Sequence, residues 1–131
     1  MPKIERFEDM EIWQRARALC QKIYAIIQDT PLKSNFKLAN QIDGSSGSIM
    51  DNIAEGFERN GNKEFLQFLS IAKGSCGETR SQLYRLFDRN FINEKDFNSL
   101  LKECEDLSRK ISAFMNYLNG STLKGAKFKQ P

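Results

Sequence analysis

Four stretches of this chain space their apolar residues by alternating threes and fours, and that rhythm restricts the fold more than any other feature. The first stretch gives Trp13, Ala16, Cys20, Ile23 and Ile27, and the second gives Ala39, Ile42, Ser46, Ile49 and Ile53. The third runs Phe65, Leu69, Ala72, Cys76, Thr79, Leu83 and Leu86; the fourth runs Phe97, Leu100, Cys104, Leu107, Ile111, Phe114 and Leu118. Residues spaced this way share one stripe of an α-helix, and stripes that never slip suit coiled-coil-like bundle packing. The spacing predicts helices over about 9–28, 36–59, 63–89 and 94–118.

The second helix is the difficult one, because Asp43-Gly44-Ser45-Ser46-Gly47-Ser48 reads locally as a loop. Held as helix, that run costs about 3–4 kcal/mol relative to alanine. A loop has no reason to keep phase, yet the stripe crosses it unbroken, so one continuous helix is expected. Folding helices two and three back around Asn60-Gly61 sets Gly47 level with Gly74 and Gly44 with Gly77. The expectation is that these glycines let the two backbones approach closely.

Short polar breaks separate the four segments. Thr30-Pro31 stops the first helix, while Asn35 and Asn62 can cap the second and third. Asn93 with Asp96 three positions on imitates a capping box, and Asn119-Gly120 ends the fourth helix. Such short connections make neighbours antiparallel. The expected fold is all-α, an antiparallel up-down-up-down four-helix bundle over residues 1–120 with a short basic tail over 121–131.

At 131 residues the chain is long enough for a single core, and its 40% hydrophobic and 28% charged content is ordinary for a globular domain. No apolar run approaches the ~18–20 residues of a membrane span, and the N-terminal residues do not resemble a secretory signal. The cytoplasm is the expected location. The three cysteines form no CxxC pair and all fall on the apolar stripes, so they read as small buried hydrophobes.

The chain contains no histidine. That removes the commonest general base and the usual zinc nitrogen ligand, and it prevents a Ser-His or Cys-His nucleophile. Carboxylate pairs such as Glu55/Glu58 and Glu103/Asp106 have the spacing of solvated helix faces. No catalytic residue, metal ligand, cofactor or small-molecule substrate is expected, and the chain does not read as an enzyme.

Residues 1–118 hold 17 basic and 17 acidic side chains, so the net charge of +3 comes from Lys124, Lys127 and Lys129. Nucleic-acid candidates are these three lysines with Lys73 and Arg80 on one stripe of the third helix and Arg85 and Arg89 near its end. Ile12, Leu19 and Ile26 recur every seven residues beside the first stripe, and Leu101 and Met115 widen the fourth. That breadth is either a fatter core or a subunit interface. Glu55 is a further interface candidate, or simply the partner of Arg59 one turn on.

Three motifs stand in order: Phe7-Glu8-Asp9-Met10-Glu11-Ile12-Trp13-Gln14-Arg15-Ala16, then Gly47-Ser48-Ile49-Met50-Asp51-Asn52-Ile53-Ala54-Glu55-Gly56, then Lys63-Glu64-Phe65 with Ala72-Lys73-Gly74-Ser75. Together they resemble the bacterial four-helix proteins named for intervening sequences of 23S rRNA genes, the S23 family. The resemblance implies a homopentamer of bundles and kinship with the accessory protein of diversity-generating retroelements, a basic pentamer that works with a reverse transcriptase and its RNA. RNA or DNA is the partner it suggests; a protein scaffold without nucleic acid is the alternative. The chain departs from the family after Gln41-Ile42, where Asp43-Gly44 stands in place of a common arginine pair.

Overall fold

The computed structural model describes residues 4–120. Four helices account for most of them: α1 (Glu11–Asp29), α2 (Phe36–Glu58), α3 (Asn62–Asp88) and α4 (Glu94–Asn119). Short 3-10 turns at Phe7–Asp9 and Pro31–Ser34 precede α1 and α2. Each helix packs against its two neighbours around a square, and neither diagonal pair makes a comparable contact. Facing residues run in opposite senses, as Glu11 with Lys110 and Lys22 with Glu103 show for α1 and α4. The bundle is therefore antiparallel throughout, and the tail over 121–131 lies outside the described residues.

The stripes on α2, α3 and α4 are buried at every expected position. On α1 the buried set is Ile12, Ala16, Leu19, Ile23 and Ile27, so the expected seam was off at Trp13 and Cys20. The reason is local: Trp13 is half-buried and packs edge-on against Phe7 at 5.3 Å, while Cys20 turns toward α2. Ile12 and Leu19, 5% and 1% exposed, thus belong to the core of one bundle and offer nothing to a second copy. Ile26, Leu101 and Met115 pack half-buried against the same core.

Helix α1 also starts later than expected, at Glu11. Met10 is extended (φ −82°, ψ 130°) and fully buried, so it plugs the base of the bundle instead of opening the helix. Asn35 and Asn93 cap as expected, accepting from the Leu38 and Asp96 amides at 3.2 and 2.8 Å. Asn62 does not cap α3. Gly61 takes the cap position at φ +95°, a conformation that favours glycine, and Asn62 donates instead to the Leu118 carbonyl at 3.2 Å.

Helix α2 is continuous through Asp43 and Ser48, but the expected role of its glycines is overturned. A Cβ built on Gly44, Gly47, Gly74 or Gly77 would meet nothing within 4 Å. These glycines face outward. The contact is made by hydroxyls: Ser48 Oγ lies 2.9 Å from Ser75 Oγ, and Thr79 Oγ1 lies 2.9 Å from Ser45 Oγ. Ser45 also donates to Gln82 Oε1 at 2.5 Å. These groups are buried or half-buried, and pairing across the seam supplies the hydrogen bonds they lose from water. The glycine that does allow close approach is Gly56, where a Cβ would sit 2.7 Å from Phe68 Cβ and 2.9 Å from Phe65 Cδ1.

Candidate nucleic-acid and subunit interfaces

The hydroxyl ladder fixes the register of α2 on α3. Residue numbers of facing pairs add to 123 for Ser48 with Ser75 and to 124 for Ser45 with Thr79. Near the α2 N-terminus Arg85 donates to Gln41 Oε1 at 2.9 Å, and Arg89 caps α3 one turn further on. Lys37 is one turn from Gln41 toward the same end, so Lys37, Arg85 and Arg89 share one edge of the bundle. Arg85 spends this hydrogen bond on a neutral amide and forms no ion pair among the described residues.

Lys73 and Arg80 are exposed elsewhere, on the α4 side of α3. Arg80 lies close enough to Cys104 of α4 to favour its thiolate, while burial, the larger effect, pushes that thiol up to about 12. The sequence set Lys73 and Arg80 on one stripe and Arg85 and Arg89 on the next turn, and the structure has the two pairs on different surfaces. Lys124, Lys127 and Lys129 lie outside the described residues. Glu55 is exposed and pairs with Arg59 at 2.6 Å, and the Arg59 guanidinium lies 5.0 Å from the Phe68 ring centroid.

The outward glycines of α2 leave a shallow depression of about 620 Å³ lined by Cys20, Asp43, Gly44, Gly47, Asp51 and neighbouring residues. Cys20 donates to the Ser46 carbonyl at 3.1 Å. Burial raises the pKa of its thiol, and the charges of Asp51 and Asp43 push the same way. Both carboxylates therefore sit on the α1 side of α2. Sequence reasoning missed Lys37 and this acidic depression; Gly44 and Gly47, which line the second, read in the sequence as facing α3.

Among the described residues, no group of three or more His, Cys, Asp or Glu is placed to hold a metal ion. No helix among them is long and apolar enough to cross a membrane.

No curated protein matches the chain. A solved structure from Bacteroides thetaiotaomicron VPI-5482, described as a protein with unknown function from the S23 ribosomal protein family, superposes with a TM-score of 0.74. It is 19% identical to this chain, covering 79% of it and 97% of the other, so the likeness speaks for the shared fold alone. The model of a family described as 23S rRNA-intervening sequence protein matches residues 8–113. With that match covering most of the bundle, the chain belongs to the 23S rRNA-intervening sequence protein family.

Proposed function

We propose that this protein is a non-enzymatic, self-associating helical bundle that works alongside RNA or a ribonucleoprotein. The observation that carries the nucleic-acid half is the edge formed by Lys37, Arg85 and Arg89. None of the three forms an ion pair among the described residues. The ion pairs cluster instead on α1 and α4, where Lys22 meets Glu103 and Lys110 meets Glu11. A cationic edge left unpaired by its own chain suits a phosphate backbone, and several copies brought together multiply it.

The family membership supports the same direction, and the resemblance suggests five copies. Labelled RNA mixed with the purified protein at about 50 and 200 mM salt tests the reading, because each neutralised phosphate releases counterions. Affinity is expected to fall at least tenfold between the two, and Arg85→Glu with Arg89→Glu to weaken binding at the lower salt. No binding at the lower salt removes the nucleic-acid half. The remaining reading, a protein scaffold, is favoured by the outward glycines of α2 and α3.

A further inference from the structure

Phe36 is 74% exposed, more than any other large apolar side chain among the described residues. The other described phenylalanines are buried or half-buried. Its ring joins no aromatic contact among those residues. Tyr84, by contrast, packs edge-on against Phe97 at 5.0 Å. A single exposed ring is ordinary on a protein surface and by itself assigns nothing. The setting of this one distinguishes it.

Phe36 opens α2, and Lys33 and Lys37 bracket it in the chain, both exposed. Arg85 contacts Gln41, so one turn nearer the helix end Lys37 comes level with Arg89. Consecutive residues of a helix point about 100° apart, which stands the Phe36 ring beside Lys37 on the outer surface. Lys33, Lys37, Arg85 and Arg89 form no ion pair among the described residues. One end of the bundle therefore offers a bare aromatic face bordered by cations. Asp43, two turns along α2 from Phe36, sets an acid in the other direction. The favourable path for a polyanion thus runs from Phe36 across Lys37 to α3.

A duplex has no use for such a ring. In an RNA helix the bases stack on one another and present only their edges, whereas unpaired bases can splay out and lie on aromatic side chains. Cations alone hold either form by its phosphates. We infer that this edge takes single-stranded RNA, with an unpaired base stacked on Phe36 and neighbouring phosphates held by Lys37, Arg85 and Arg89. The inference rests on the nucleic-acid reading proposed above and narrows it to one class of RNA. Stacking accepts any base, so little sequence preference accompanies it.

Binding of labelled oligouridylate and of an RNA duplex of equal length, at about 50 mM salt, tests it on the full chain and on variants at Phe36. Phe36→Ala is expected to weaken the single strand at least about fivefold and to leave the duplex within about twofold. Its salt dependence is expected to match that of the unaltered chain, because stacking releases no counterions. Phe36→Trp is expected to keep the single-strand affinity and to lose indole fluorescence as the RNA is added. Trp13, the other indole in that variant, lies near the start of α1 while Phe36 follows its end, so the unaltered chain supplies the background. Light scattering and circular dichroism are expected to give Phe36→Ala the mass and helix content of the unaltered chain. Single-strand binding that ignores Phe36→Ala overturns the inference while leaving phosphate binding standing, and so does an equal loss for both RNAs. A changed mass marks Phe36 as a protein contact and overturns it too. No binding of either RNA defeats the nucleic-acid reading and this inference together.

Discussion

At the scale of single residues, glycine and cysteine show how one residue type takes opposite roles. Gly56 stands where α2 crosses α3, and its missing side chain is filled by Phe65 and Phe68. Gly56→Ala should overpack that crossing and cost about 1–3 kcal/mol. Gly74→Ala, in open space, should stabilise the helix by about 1 kcal/mol and raise the thermal midpoint by roughly 3–6 °C. Thermal melts of the two variants check both signs; a stabilised Gly56→Ala would refute the close approach. Burial pushes the Cys76 and Cys104 thiols from an ordinary 9.0 up to about 12. A thiol held neutral in the fold but free to ionise when unfolded contributes stability that is complete below pH 9 and lost as pH rises toward 12. Cys76→Ala should therefore flatten the decline in stability above pH 9, and a disulfide reagent at pH 8 should reach only Cys20 before unfolding.

At the scale of elements, α2 and α3 form the most extensive pair, and a polar ladder runs along their contact. Ser45 is its centre, buried between Gln82 and Thr79. Ser45→Ala strands the Gln82 carbonyl oxygen and should cost about 1–3 kcal/mol. Adding Gln82→Leu removes the stranded group, so the double variant should recover part of the loss, with a coupling of about 0.5–3 kcal/mol. Denaturant melts around this cycle give the answer, and strict additivity would mean the ladder does not act as a unit. The ladder also explains why a glycine-serine run holds helix here. Ser45 and Ser48 are paired by α3 while Ser46 donates to the Ile42 carbonyl of its own helix, which offsets the weak propensity of the segment.

At the scale of the whole molecule, packing is uneven. The contact of α1 with α4 is the loosest of the four, with grooves of about 220 and 330 Å³ beside Leu19 and Ile26. It is held partly by exposed ion pairs, Lys22 with Glu103 and Lys110 with Glu11, each of which contributes little in water. Amide hydrogen exchange should therefore be slowest at the centre of α2 and α3 and faster through α1. Uniform protection across all four helices would contradict this ordering.

The sequence by itself determined the four helices, their antiparallel order and three of the four buried stripes, because periodicity reports a helix face without needing the partner. It misled on α1, where Ile12, Trp13, Leu19 and Cys20 are all apolar and two adjacent phases fit nearly as well. Only the facing helices choose between such phases. The same holds for the glycines, since pattern alone gives no sign of whether a missing side chain faces a neighbour, as at Gly56, or solvent, as at Gly44. The surfaces that Lys73 with Arg80 and Arg85 join were likewise a tertiary decision, although the angle between them follows from the helical repeat. Residues five positions apart on a helix diverge by about 140° at 3.6 residues per turn, and the flanking helices decide which surface each one joins.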